Sequence, residues 1–149
     1  MNTLKLLLVS LILSTPLIAA DAVIEFRVVV PSGTRDAVEK KNDDSTLWVD
    51  SKPSFATADI KSAFVTRSSD RWVVFMSVTD DAAKRFGDFS QSHVGDRIAI
   101  LSHGKLISAP TLRQAITGGS VEISGNFTED TARELAAAIA AAIPKTSKP

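Results

Sequence analysis

The chain has no cysteine and no tyrosine, only two histidines and two tryptophans, and no excess of either charge sign. Without cysteine it cannot be stapled by disulfides or carry a thiol nucleophile. It also cannot be lipidated at a bacterial lipobox, which needs a cysteine at the new N-terminus. Seventeen Lys and Arg residues balance seventeen Asp and Glu residues. No basic block interleaves with aromatics, so the electrostatic footprint of nucleic-acid binding is missing. Gly104, Gly118-Gly119 and Gly125 fit neither a Walker loop nor a dinucleotide fingerprint and read as turn glycines. Neither Ser108 nor Ser124 sits in a G-x-S-x-G elbow.

Long apolar runs are also scarce. Leu4–Leu13 is the exception, at about ten residues, against the ~20 that a bilayer-spanning helix needs. Lys5 gives it a positive start, Ser14-Thr15-Pro16 breaks it, and the small residues Ala19, Ala20 and Ala22 follow. This three-part layout predicts a signal peptide over residues 1–20, cleaved after Ala20 or Ala22, with Ala20-Asp21-Ala22 the better fit to the A-x-A pattern. The Ala-rich C-terminal segment is interrupted by Arg133, Glu134 and Pro144. The expected product is a soluble, exported, periplasmic protein with no membrane span.

What remains is long enough for one core, and the 44% apolar and 23% charged residues of the whole sequence are ordinary for a globular protein. Residues 21–52 read as N-terminal strands and a charged loop. Val23–Val30 is a strand stopped by Pro31-Ser32-Gly33, Thr34–Ser45 an exposed loop with a helical turn over Arg35–Lys40, and Leu47-Trp48-Val49 a second strand. Ser51-Lys52-Pro53 marks the clearest boundary. Residues 53–144 read as the α+β core and 145–149 as a polar tail. Within the core, Thr57 or Asp59 is expected to start a small helix running to Ala63. Trp72–Val78 reads as a strand apolar on both faces, covered on both sides or lying beside a partner. Thr79 or Asp80 caps a helix whose buried stripe is Ala82, Phe86, Phe89 and His93, closed by Val94-Gly95.

Arg97–Leu101 and Lys105–Ser108 form a hairpin around His103-Gly104, and Pro110 stops the pairing. Thr111–Ile116 is expected to be a short helical link, and Gly118-Gly119 turns into the strand Val121–Ser124. Thr128 caps the last helix, with Ala132, Leu135, Ala136, Ile139 and Ile143 on its apolar stripe and Pro144 at its end. This order predicts a two-layer α+β sandwich, a mostly antiparallel sheet with helices on one face.

Two strings in this region carry a family resemblance. Phe86, Gly95-Asp96-Arg97-Ile98-Ala99-Ile100, His103-Gly104-Lys105 and Ser108-Ala109-Pro110 form the first. Gly118-Gly119, Ile123-Ser124-Gly125-Asn126-Phe127-Thr128 and the Ala/Leu-rich helix ending at Ile143-Pro144 form the second. Together they resemble the periplasmic P1 head of SecD, a subunit of the bacterial protein-export machinery. The match is specific from about Thr79 to Pro144, weaker over Pro53–Val78 and only suggestive before that. It departs from the family at His103, where the family places aspartate, and at Ser102, where it has an apolar residue. SecD also carries membrane helices and a second periplasmic subdomain. No stretch here resembles them, so the resemblance implies a SecD-head-like fold as a stand-alone exported protein, without the proton-driven motor.

The chemistry expected of such a protein is binding. His93 at a helix end and His103 at a hairpin tip have structural readings, and Asp80-Asp81 and Glu129-Asp130 open helices, where the dipole favours acids. No catalytic residue, cofactor or metal site is assigned, and the chain is read as not an enzyme. The resemblance implies polypeptide or an envelope protein as partner, including translocon components, in a role accessory to protein export. The candidate contact and motif residues are His103, Gly104, Ser108, Ala109, Pro110, Gly125, Asn126 and Phe127. Trp48 and Phe55 are read either as an exposed apolar contact surface or as a small satellite core under the charged loop. A small exported enzyme using His103 or His93, and an inhibitor or envelope protein reusing the same fold, stand as alternatives.

Overall fold

The computed structural model describes residues 22–42 and 45–144; the leader-like residues 1–20 and the tail 145–149 lie outside the described residues. Among the described residues, nine strands and two α-helices follow in the order β1 (Ile24–Val30), β2 (Val38–Lys41), β3 (Thr46–Val49), β4 (Phe55–Ala56), β5 (Ile60–Ser68), β6 (Arg71–Val78), α1 (Asp80–Ser92), β7 (Ile98–Ser102), β8 (Lys105–Ser108), β9 (Ser120–Ser124) and α2 (Glu129–Ala142). The expected α+β class is the one observed. The strands divide over two antiparallel sheets, one ordered β2-β3-β1-β7-β8 with β4 also on β1, the other β5-β6-β9. No helix of the described residues is long and apolar enough to cross a membrane.

β1 organises the larger sheet because both of its faces are used. Ile24, Phe26 and Val28 point into the main core, and Val29 packs against a second, smaller cluster of Val49, Ala99, Leu101 and Leu106. Glu25 and Arg27 share that second face. Their ion pair spans 2.9 Å, and their side chains are only 15% and 12% exposed. Arg27 also donates to the carbonyls of Asp50, at 2.8 Å, and Ser51, so one guanidinium ties the β3–β4 connection to the sheet. The sheet curls until Lys40 Nζ on β2 lies 3.1 Å from the Gly104 carbonyl at the β7–β8 turn.

The smaller sheet is centred on β6. Val74, Met76 and Val78 face the main core, while on the opposite face Phe75 stacks on Phe64 of β5 with centroids 5.1 Å apart. Phe64 itself is 50% exposed. Both helices bury their stripes in the same main core, Ala82 and Phe86 from α1 and Ala132, Leu135, Ala136 and Ile139 from α2, and α2 packs over β5 and β6. Thr79 caps α1 by accepting from the Ala82 N–H at 3.3 Å, and Thr128 caps α2 by accepting from the Thr131 N–H at 3.2 Å.

Five sequence expectations are corrected. Residues 35–40 form no helical turn; a tight turn with Asp36 at φ 62° leads into β2, which pairs with β3. Thr57–Asp59 is a single 3-10 turn, and the chain then extends as β5. The helix-starting signals there are satisfied locally. Asp59 Oδ2 accepts from the Ala56 N–H at 3.0 Å, and Thr57 Oγ1 accepts from the Ile24 N–H at 3.0 Å. Phe55 belongs to the main core, edge-on to Phe86 at 4.7 Å and Phe89 at 5.3 Å, so it is neither an exposed surface nor a satellite. Trp48 is half-buried on β3.

The fourth is Thr111–Ile116, which is an irregular extended link with no helix. Leu112 exchanges backbone bonds with Gly95 and Asp96 at 2.8 Å each, and six residues make too short a helix to survive that competition. Pro110 does not fully end the pairing of its strand, because its carbonyl accepts from the Ile98 N–H at 2.9 Å and Arg97 bridges Thr111.

Arg27→Ala strips Glu25 of its cation and frees two carbonyls. The expected cost is about 2–3 kcal/mol in urea unfolding, given a pair that is mostly but not wholly buried. Glu25→Gln, which keeps the Arg27 contacts to Asp50 and Ser51, is expected to cost less. A negligible loss for Arg27→Ala would show that the clamp contributes little, and equal losses for the two variants would show that the contacts to Asp50 and Ser51 add nothing to the ion pair.

Candidate functional site

Between α1, strands β1 and β7 of the larger sheet and the edge strand β9 of the smaller one lies an apolar cleft of about 290 Å³. Its floor is Phe26, Ile98, Ile100 and Val121, and one wall is Phe86 and Phe89 from α1. The opposite wall is the link itself, through Pro110, Leu112 and Ile116, with Arg113, Gln114 and Glu122 at the rim. Each wall has a definable cause. The spacing of Phe86 and Phe89 puts both rings on the inner side of α1. The link is held extended at one end by the Gly95–Leu112–Asp96 exchange and at the other by Ser90.

Ser90 was not singled out in the sequence. It is 1% exposed, its Oγ donates to the Gly87 carbonyl at 2.9 Å, and it accepts from the Ile116 N–H at 2.8 Å. A serine inside a helix carries no strong sequence signal. Here it satisfies a link amide that has no strand or helix partner. Leu112 and Ile116 lie in the segment whose composition suggests a short helical link, and nothing local marks them as walls of a cleft.

The eight candidate residues are distributed rather than gathered. Pro110 lines the apolar cleft. His103 and Phe127 line a second cleft, of about 340 Å³, between the β7–β8 turn and the Thr131, Glu134, Leu135, Ala138 side of α2. His103 and Gly104 hold the turn with φ of 47° and 75°, the two-residue pattern in which both central positions need positive φ. Gly125 sits close behind this second cleft, since a Cβ on it would lie 3.4 Å from the Phe127 ring and 3.6 Å from Ile107 Cγ2. Asn126 is exposed.

Ser108 and Ala109 form a half-buried corner. Ala109 packs against the smaller cluster, and Ser108 Oγ is buried with no hydrogen-bond partner among the described residues. A bulge explains the position of Ser108. Leu101 pairs with Leu106 and Ile100 with Ser108, leaving Ile107 as the extra residue that turns toward the main core.

Acid–base chemistry finds little geometry. His93 caps α1, with Nδ1 2.8 Å from Asp96 Oδ2 and its ring 4.5 Å from Phe89. His103 Nδ1 lies 3.1 Å from Ser102 Oγ, its neighbour in sequence, and no described carboxylate bonds to its ring. Among the described residues no group of three His, Cys, Asp or Glu side chains is placed to hold a metal ion.

Residues 34–143 match the family model described as SecDF, P1 head subdomain. The protein translocase subunit SecD of Aquifex aeolicus is 32% identical over 133 residues, covering 80% of this chain and 26% of the relative. That of Rickettsia conorii is 47% identical over 64 residues, covering 43% of this chain and 12% of the relative. The chain thus spans well under a third of the length of either relative. Among solved structures, a SecDF described as a membrane component that enhances protein export is similar with a TM-score of 0.63 at 26% identity, covering 80% of this chain and 62% of that chain. SecDF in a super-membrane-facing form also gives 0.63 at 26% identity, covering 80% of this chain and 18% of that one.

If Ser90 positions the link, Ser90→Ala leaves the Ile116 N–H without its acceptor. The expected loss is about 1–3 kcal/mol by chemical unfolding, with NMR line broadening concentrated over residues 111–117. A stability change under about 0.5 kcal/mol with an unaltered link spectrum would contradict that role.

Proposed function

The chain belongs to the SecDF P1 head subdomain family, and on that premise we propose that it is a non-catalytic module of protein export that binds extended polypeptide in the apolar cleft. The observation that carries this reading is the cleft itself. Aromatic and aliphatic side chains dominate its lining, the buried Ser90 hydroxyl is already bonded to Gly87 and Ile116, and about 290 Å³ accommodates several apolar side chains. Recognition of an unfolded segment needs this combination, because apolar walls accept many side chains while a few rim groups hold the backbone in place. Pro110 is the one candidate residue that contacts the occupant in this reading. His103, Gly104, Ser108, Ala109 and Gly125 serve a turn, a bulge and close packing outside the cleft's lining.

A periplasmic setting is part of the same proposal. It is supported by the leader layout of residues 1–20 and by a SecDF relative described as enhancing protein export. The non-catalytic reading is supported by the two histidines, each of which has a structural role at a helix end or a hairpin turn.

NMR titration of the 15N-labelled domain with a permanently unfolded, apolar-rich polypeptide tests the proposal. Shifts are expected for Phe89, Leu112, Ile116 and Val121. Leu112→Asp, which charges the wall from a half-buried position, is expected to weaken binding at least tenfold while leaving the circular dichroism spectrum unchanged. His103→Gln and His93→Gln are expected to leave binding within twofold. Shifts elsewhere, or none, would remove the polypeptide-binding reading. A response only to periplasmic loops of the translocon would replace polypeptide with a protein partner.

A further inference from the structure

We propose that polypeptide enters the cleft as an added β-strand on the free edge of β9, so that recognition is chiefly of its backbone; this rests on the polypeptide-binding reading above. β9 ends its sheet and pairs on one side only, with β6. Beyond that pairing, no backbone hydrogen bond reaches Ser120–Ser124 from any described residue. Buried or half-buried strand edges need partners for their N–H and C=O groups, so this edge is a standing template for another strand.

The cleft opens onto that edge. Val121 points into the core and Glu122 points away from it, yet both line the cleft. Neighbouring side chains on a strand project to opposite faces, so a space touching both borders the strand's rim rather than one of its faces.

The edge strands β2, β5 and β8 carry the usual safeguards against strand addition, and β4 is only two residues long. β2 is Val38-Glu39-Lys40-Lys41, with three consecutive charged residues. β5 is bulged between Ile60 and Ser62 and carries Lys61 and Arg67. β8 is bulged opposite Ile100 and Leu101 and begins with Lys105. β9, Ser120-Val121-Glu122-Ile123-Ser124, has no lysine, arginine, proline or bulge. The edge left open is the one that faces an apolar cleft.

A strand of five residues spans roughly 17 Å, enough to pair a five-residue segment. In an added strand every second side chain, about 6.8 Å apart, would project beside Val121 into the cleft, and the alternate ones would project to the Glu122 side. Main-chain bonds supply affinity that is blind to sequence, and the cleft favours apolar residues at alternate positions. The occupant is therefore an extended segment of an unfolded polypeptide, with no requirement for a fixed motif.

Backbone N-methylation separates this mode from simple apolar contact. The probe is a seven-residue peptide alternating valine and serine, titrated against the full chain in three forms: unmodified, N-methylated at the valines, and N-methylated at the serines. Strand addition uses only alternate amides, so one methylated form is expected to lose at least tenfold in affinity and the other to stay within threefold. Amide exchange in Ser120–Ser124 is expected to slow with the unmodified peptide. Binding by all three forms within threefold, with no exchange protection in β9, would overturn strand addition while leaving apolar-cleft binding in place. Binding by none would overturn both. A peptide-independent dimer of the chain with β9 protected would assign the edge to a second copy and overturn the proposal.

Discussion

The hydrogen bond from the Ile116 N–H to Ser90 Oγ is the contact on which the cleft depends. The link between β8 and β9 has to cross from the larger sheet to the smaller one, and it forms neither helix nor strand on the way. Its amides therefore need side-chain or isolated backbone partners, and there are few. Leu112 is held by the turn after α1, and Ile116 by a hydroxyl buried inside α1. With both ends fixed, the link cannot collapse onto Phe86 and Phe89, and the space between helix and link stays open. A buried serine is a costly residue in a helix unless its oxygen is used on both sides, as it is here with Gly87 and Ile116.

β1 supplies the complementary constraint. One of its faces enters the main core and the other carries the Glu25–Arg27 pair and the smaller cluster, so the strand belongs to both cores. Residues on either side of Ser51–Pro53 share the main core through the pairing of β1 with β4 and β7. The cleft floor, Phe26 with Ile98 and Ile100, is built from that pairing.

Elements whose causes lie within a few residues were legible in the sequence. The α2 stripe with its Thr128 cap, the α1 stripe with Thr79, and the His103-Gly104 turn each follow from local chemistry, and each is found where it was read. The errors share one cause. Thr57–Ala63 and Thr111–Ile116 carry helix-compatible residues, but their conformations are set by partners distant in sequence: β6 along the whole of β5, and Gly95, Asp96 and Ser90 along the link. Val38–Lys41 looks like solvated loop because a charged edge strand and a loop have the same composition; only pairing with Thr46–Val49 separates them. The motif strings identified the family, yet most of their residues shape turns and a bulge. Phe86, Ile98, Ile100 and Pro110 of the strings do line the cleft, but Phe89, Leu112 and Ile116, which complete its walls, lie outside them.

Family membership and an apolar cleft bordered by an open strand edge support one account, in which the fold presents a short apolar slot to extended chains. Photo-crosslinking tests it most directly. A photoreactive residue placed at Leu112, in the cleft wall, is compared with one at Phe64, exposed on the far face of the smaller sheet, during incubation with an unfolded polypeptide. The account predicts crosslinks from position 112 and background from position 64. Equal crosslinking from both positions, or crosslinks from position 64 alone, would contradict it.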